Sequence, residues 1–326
     1  MTWLWSDGFD ASDYAVKMPA AGVFSTPAGR YGVGLAAQPQ NNFKVPLFTA
    51  SSKIFCGFAW KPTSATAFFT IYGDAGATAH LTLAVATNGV VTLARGGSSI
   101  ATSAAVATLV HASALWTYLE ISATIHDSTG NVVVKADGVE IINFTGDTKN
   151  AGTATTIDQV GFTSNTGYVD DLYVCNDSGS APWNTFLGEI RIATSVGTGA
   201  GSSTGWTPDS GSNYARVNEL PYSTANYVGT NAATPGTRDL YAVTDLPSNA
   251  GTVLGVAVNV IAKKTDAGAA SAKAAIRTGS TNYAGSAFSP TTSDIAYQSR
   301  WEVSPNTSAA WAVANVNSIE AGVETA

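Results

Sequence analysis

The sequence predicts an all-β chain built in two parts. Three observations carry that expectation. Apolar residues fall in short runs or in strict alternation, as in His80-Leu-Thr-Leu-Ala-Val-Ala86. Turn signals break those runs about every ten residues, with Asn88-Gly89 and Asp137-Gly138 the clearest hairpin pairs. No stretch sustains a helical period. Together they describe a β-sandwich.

Each element can be justified in order. Trp3-Leu-Trp5 reads as an aromatic strand. Gly29 to Leu35 alternates glycine with larger residues and reads as a tightly packed strand. Lys53 to Lys61 is a buried strand bounded by charge, and Ala67 to Tyr72 is another. His80 to Ala86 and Val90 to Ala94 flank the Asn88-Gly89 turn. Ile100 to Val110 and Trp116 to Ile125 follow. Asn131 to Ala136 and Val139 to Phe144 pair across Asp137-Gly138, and two more strands lie within Gln159 to Cys175. Asn176 to Gly188 reads as a loop and Glu189 to Ala193 as a strand leading out. Ser195 to Ser212 is rich in Gly, Ser and Thr. The expected organisation is a first domain over 1–190, a flexible linker over 191–212 and a smaller C-terminal β domain over 213–326. In that last part Thr237 to Val243, Gly251 to Lys264, Ser271 to Arg277 and Asp294 to Val303 read as strands. The second domain is expected to be a smaller β-sandwich or β-roll.

Composition excludes several roles. Charged residues make up 12% of the 326 residues, against about 25% in an average domain. Net charge is -7 and Lys263-Lys264 is the sole adjacent basic pair, so no basic stripe offers itself to nucleic acid. The uncharged run Gly96 to Leu119 is rich in Ser and Thr and reads as strands and turns rather than a membrane span. Met1-Thr-Trp-Leu-Trp5 lacks the basic start and long apolar core of a signal peptide. Cys56 and Cys175 sit in apolar strands and read as small buried side chains, with a single bridge left open.

Motifs for chemistry are sparse. A jelly-roll glycosidase needs two carboxylates flanking the sugar, and no Glu-x-Asp-x-x-Glu strand occurs. Asp170 and Asp171 are adjacent, so on a regular strand they point to opposite faces. His80, His111 and His126 have no partner at metal-binding spacing, and neither a nucleophile elbow nor a P-loop is present. The expectation is therefore a protein that is not an enzyme. Hard oxygen ligands for calcium are sought in Asp170, Asp171 and Asp74, with Asn165 nearby in sequence; the alternative is one Asp in solvent and one capping backbone donors. Aromatic platforms for a sugar are sought in Trp183, Trp206 and Tyr72, with packing over a domain junction the favoured reading of each.

The strand order, an aromatic strand, a D-G hairpin, a polar connection and Val169-Asp-Asp-Leu-Tyr-Val174, resembles the second half of a concanavalin A-like, laminin-G-type jelly roll. From Trp116 onward a longer ordered series follows: Phe186-Leu-Gly-Glu-Ile-Arg191, Gly205-Trp-Thr-Pro208, Asn213-Tyr-Ala-Arg-Val-Asn-Glu219, Arg238-Asp-Leu-Tyr241, and Trp311 with Asn317-Ser-Ile-Glu-Ala-Gly-Val323. That series resembles tailed-bacteriophage virion proteins of the tail, fibre or minor structural type, which join such a jelly roll to a C-terminal β module. The resemblance implies a non-enzymatic virion component, made in the host cytoplasm, that assembles with other virion proteins and with copies of itself. It also permits calcium at a sheet rim. The alternative is an adhesion module that recognises host-surface glycans.

Overall fold

A computed structural model describes residues 2–11, 17, 24–25, 27–32, 34–232 and 234–326. Nearly all regular structure is strand, and the chain divides into two compact units, Met1–Ile192 and Ala193–Ala326.

The first unit holds β1 (Trp3–Asp7), β2 (Phe24–Ser25), β3 (Gln38–Pro39), β4 (Phe43–Ser51), β5 (Lys53–Pro62), β6 (Ala67–Gly73), β7 (Thr78–Val85), β8 (Val90–Arg95), β9 (Ser98–Ala105), β10 (Thr117–Thr124), β11 (Gly130–Ala136), β12 (Val139–Gly146), β13 (Ile157–Phe162) and β14 (Gly167–Asn176). Two six-stranded sheets form, in the orders β1-β14-β5-β10-β11-β12 and β4-β13-β6-β7-β8-β9. Every pairing within them is antiparallel.

Period-two alternation sends one face of each sheet into a common core. Ile54, Cys56, Phe58 and Trp60 of β5 meet Leu81, Leu83 and Val85 of β7 and Phe162 of β13 within one buried cluster. Phe58 packs against both Phe69 and Phe162 at ring separations of 5.0 Å. The jelly-roll sandwich expected for this half is thus present. The reading of Gly29 to Leu35 as a strand is corrected: Gly29 accepts from Gly32 N–H and donates to Gly34 O, a turn closed by the isolated bridge between Ala28 and Leu35.

The segment after β14 corrects a second expectation. Residues 177–192 hold no strand; they lie as a strap over the outer face of the first sheet. Three sheet side chains accept from the strap's backbone. Tyr173 Oη takes Leu187 N–H at 3.0 Å, Glu120 Oε1 takes Gly188 N–H at 2.8 Å, and Asp171 Oδ1 takes Ile192 N–H at 2.7 Å. Apolar contacts add to these, with Trp183 stacked on Trp3 at 4.3 Å and Phe186 edge-on to Phe55 at 5.2 Å. Without those acceptors the strap would bury orphaned amide donors, each costing about 1–3 kcal/mol.

The second unit holds β15 (Gly197–Thr204), β16 (Thr207–Pro208), β17 (Val228–Gly229), β18 (Arg238–Val243), β19 (Val256–Ala262), β20 (Ala272–Thr278), β21 (Thr281–Ala284), β22 (Ile295–Trp301) and β23 (Glu320–Thr325). Five of them form one sheet, β15-β18-β23-β20-β21, while β16-β17 and β19-β22 are two-stranded ribbons. Its fully buried cluster is small, Ile276, Trp311 and Ile319, with Val256, Val258 and Trp301 packed around it. The linker expected over 191–212 is corrected: its Gly/Ser/Thr stretch is β15, paired with β18. Small residues do not prevent a strand once a neighbour supplies the ladder. Val313–Val316 is a single helical turn.

Candidate functional site

Two groups of side chains stand out, one on each sheet of the first unit. On the first sheet the centre is the aspartate pair of β14. The register places Asp170 opposite Ala59 and Tyr173 opposite Gly57, so Asp171 and Leu172 share a single partner position. This is a β-bulge, and Asp171 takes the left-handed conformation it requires, φ 52°. The bulge resolves a conflict in the sequence. Simple alternation from Val169 would aim Asp171 into the core and Leu172 out of it. With the extra residue Leu172 and Val174 enter the core cluster instead.

The expectation that the two carboxylates face opposite ways is therefore wrong. Both reach Arg30. Asp170 Oδ2 accepts Arg30 N–H at 2.8 Å and its Oδ1 accepts Asp171 N–H at 2.8 Å. Asp171 Oδ2 lies 3.8 Å from Arg30 Nη1, and the guanidinium also pairs with Glu189. Asp170 is 5% exposed and Asp171 2%. Burial, then the charge of Asp171, pushes the Asp170 carboxyl up to about 8; burial pushes Asp171 up to about 6 against the pull of Ile192 N–H and Arg30.

The calcium expectation does not fit this arrangement. The aspartate oxygens face backbone donors and a guanidinium, which serve them as cation and hydrogen-bond donors. Asp74 is occupied elsewhere, accepting Thr78 Oγ1 at 2.6 Å, Thr153 Oγ1 at 3.1 Å and Ala154 N–H at 3.0 Å. Those bonds, that of Thr78 foremost, hold its carboxyl below the usual range. Asn165 sits in a turn, its N–H on Pro39 O. Among the described residues no three His, Cys, Asp or Glu side chains are grouped to hold a metal ion.

Glu120, also buried, accepts Tyr173 O–H at 2.7 Å besides the strap amide. It works as a fastener. Cys56 and Cys175 are free thiols. Cys56 is opposite Val174, so Cys175 lies on the other face of the sheet; Cys56 joins the core and Cys175 Sγ donates to Thr185 O at 3.5 Å.

The second sheet differs. Its outward residues near one end are Lys44, Thr70, Tyr72, Thr82 and Gln159, brought together by the registers Gly161↔Thr70, Gln159↔Tyr72 and Thr70↔Thr82. The Tyr72 ring lies across Gly161, where a Cβ would fall 2.8 Å from Tyr72 Cε2. Lys44 Nζ stands 4.2 Å above the ring centroid and donates to Gly76 O at 2.5 Å. Asp158 fixes the adjoining turn by accepting Ala75 N–H at 2.6 Å and Gly76 N–H at 3.1 Å. Thr70 and Thr82 hydroxyls are 3.4 Å apart. The result is a polar strip with Lys44 as its cation, the Asp158 carboxylate at the adjoining turn and an aromatic ring at its end.

The other two aromatic candidates stand apart from it. Trp183, a candidate platform expected rather to pack at a domain junction, is 3% exposed under the Trp3 stack within the first unit and presents no open face. Trp206 belongs to the second unit, half-buried, its Nε1–H on Thr237 O at 3.0 Å. Lys44 was not foreseen, because nothing in its strand marks it as a neighbour of Tyr72 until β13 is placed between β4 and β6.

No family model and no curated protein matches the chain. Solved structures do. A sialidase matches at a TM-score of 0.36 and 13% identity over 53% of this chain and 18% of its own, so this chain spans under a fifth of that protein. The carbohydrate binding module CBM66 of Bacillus subtilis matches at 0.32 and 7% over 47% of this chain and 92% of its own. The Caenorhabditis elegans galectin LEC-6 matches at 0.30 and 14% over 42% and 92%. These similarities extend to the β-sandwich architecture alone.

Proposed function

We propose that this chain is a non-enzymatic recognition module that binds carbohydrate through the outer face of its second sheet. The observation that carries the reading is the strip around Tyr72. An aromatic edge, an ammonium, a side-chain amide and the Thr82 hydroxyl share the outer face of one sheet, with Thr70 buried at 7% exposure beneath them and Lys44 over the ring, a mixture that can hydrogen-bond a saccharide. On the first sheet the strap covers part of the outer face, over Trp3, Phe55, Glu120 and Tyr173. The acids that would serve glycoside hydrolysis are spent on fastening: Glu120 on Tyr173 and Gly188, Asp171 on Ile192 and Arg30. A printed-glycan array with the full chain tests the reading. Saturable binding to a defined glycan class is the expected result; a blank array sinks it.

A second reading is compatible and rests on a different observation, the ordered motif series from Trp116 to the C-terminus. On it the chain is a structural component of a tailed-phage virion, at the tail, fibre or capsid surface, assembling with other virion proteins and with its own copies. The half-buried ribbon β19-β22 of the second unit, where Asn259 alone is exposed, supports that reading, because a two-stranded ribbon gains stability by being covered. Gold-labelled antibody against this chain, imaged on purified particles, decides it: labelling at one position on the particle is expected, and unlabelled particles overturn it.

A further inference from the structure

The second unit carries an aromatic ring more open than any among the described residues of the first. Tyr227 is 57% exposed, and among the described residues no other ring and no cation lies over it. It precedes β17, whose pairing with β16 is extended by Asp209 N–H on Tyr227 O at 3.0 Å. A return bond, Tyr227 N–H on Asp209 Oδ1 at 3.2 Å, closes the loop between them. Residues 209 and 227 therefore stand opposite one another on the ribbon, side chains on the same face. On that face Gly229 follows Tyr227, and a Cβ there would meet the ring at 3.9 Å, so the ring has a flat neighbour on one side and solvent on the other.

Beside the ring is a locked ion pair. Arg216 Nε reaches Asp209 Oδ1 at 2.7 Å and Nη2 reaches Oδ2 at 2.6 Å. The two parallel bonds hold the Asp209 carboxyl below its usual range. A bidentate pair of this kind is ionised throughout the accessible pH range and geometrically fixed. With Oδ1 taken by Arg216 Nε–H and Tyr227 N–H, it still offers the second lone pair of Oδ2 and the outer N–H groups of Nη1. Its net charge is zero, which disfavours an anionic ligand. An acceptor and a donor side by side, next to an open aromatic face, match two neighbouring hydroxyls and the apolar C–H face of one sugar ring.

We infer that Tyr227, Asp209 and Arg216 form a second saccharide subsite, for a neutral pyranose bearing adjacent hydroxyls, on the second unit. The site is independent of the strip around Tyr72. Both partners of the ion pair are fixed before a ligand arrives, so little side-chain freedom is lost on binding.

The test uses the full chain carrying Tyr72→Ala and Lys44→Ala, which removes the first strip. Saturation-transfer NMR is run with maltotriose, cellotriose and triacetylchitotriose as probes. At least one probe is expected to bind saturably, and adding Tyr227→Ala is expected to weaken it at least about tenfold in Kd. Tyr227→Phe keeps the ring and should retain binding, while Arg216→Lys, which keeps the charge but loses the fork, should weaken it. Thermal unfolding confirms that each variant is folded. Absence of binding by all three probes in the starting chain, or binding indifferent to Tyr227→Ala, overturns the subsite. Wild-type binding that vanishes entirely with Tyr72 and Lys44 would overturn this subsite while supporting the sheet-face reading.

Discussion

Asp171 Oδ2 and Arg30 Nη1 face one another at 3.8 Å, both buried and neither with a closer side-chain bond at that atom. The contact joins β14 to the turn at Arg30, far earlier in the chain, and the same aspartate holds the end of the strap at Ile192. One bulged residue thus ties three segments together.

The pH dependence of the first unit follows from this pair. Both carboxyls have folded values above their usual ones, near 8 for Asp170 and 6 for Asp171. A raised acid binds its proton more tightly when folded, so the stability it contributes is present at low pH and is lost as pH rises through those values. The unfolding free energy from urea titrations should fall as pH is raised from about 5 to about 9, by at least about 1.4 kcal/mol, the worth of one pKa unit. Asp170→Asn should flatten the upper part of that slope. Stability that rises over the same window would contradict the account.

Substituting Asp171 should separate its two roles. Asparagine tolerates the left-handed backbone and can still accept from Ile192, so Asp171→Asn should cost little. Asp171→Ala loses both and leaves a buried guanidinium short of one partner, at about 3 kcal/mol. Chemical denaturation of the two variants side by side measures the difference; equal losses would show that the Ile192 bond and the backbone conformation do not matter.

Gly57 should not accept a side chain. Tyr173 lies across it, and a Cβ would stand 2.2 Å from Tyr173 Cε1. Gly57→Ala must displace that ring, and with it the hydroxyl that holds Glu120 and Leu187. A loss of about 1–3 kcal/mol is expected. Hydrogen exchange at Leu187 and Gly188 should quicken in the variant, and unchanged exchange would mean that the strap is held by its aromatic contacts alone.

Cys56 and Cys175 should both resist thiol reagents in the folded chain and react once it is unfolded. Burial pushes the Cys56 thiol well up, and the pair lies on opposite faces of one sheet. Quantified alkylation followed by mass spectrometry reads this directly; a crosslinked Cys56–Cys175 peptide from air-oxidised, native protein would contradict the register.

The sandwich was legible from alternation and turns: Asn88-Gly89 and Asp137-Gly138 sit where strands β7-β8 and β11-β12 reverse. The aspartate pair misled because period two assumes a regular strand, and the bulge at Asp171 is imposed by the need to return Leu172 and Val174 to the core. Glu189 to Ala193 alternates like a strand, yet its amides bond to side chains rather than to a neighbouring strand, which local pattern does not reveal. Gly197 to Thr204 has the composition of a linker, and its partner β18 lies some forty residues on. Tyr72 was legible as an aromatic beside polar residues; Lys44 and Gln159 became its neighbours only through the order β4-β13-β6.

Calorimetry on a chain carrying Tyr227→Ala, which leaves the sheet face as the remaining saccharide surface, tests the central proposal most directly. The glycan ranked highest on the array is titrated into that chain and into the same chain with Tyr72→Ala and Lys44→Ala added. The expected result is a saturable isotherm in the first and a loss of at least about tenfold in affinity in the second, near 1.4 kcal/mol. Identical isotherms, or no heat of binding in either, would contradict recognition of carbohydrate by the strip around Tyr72.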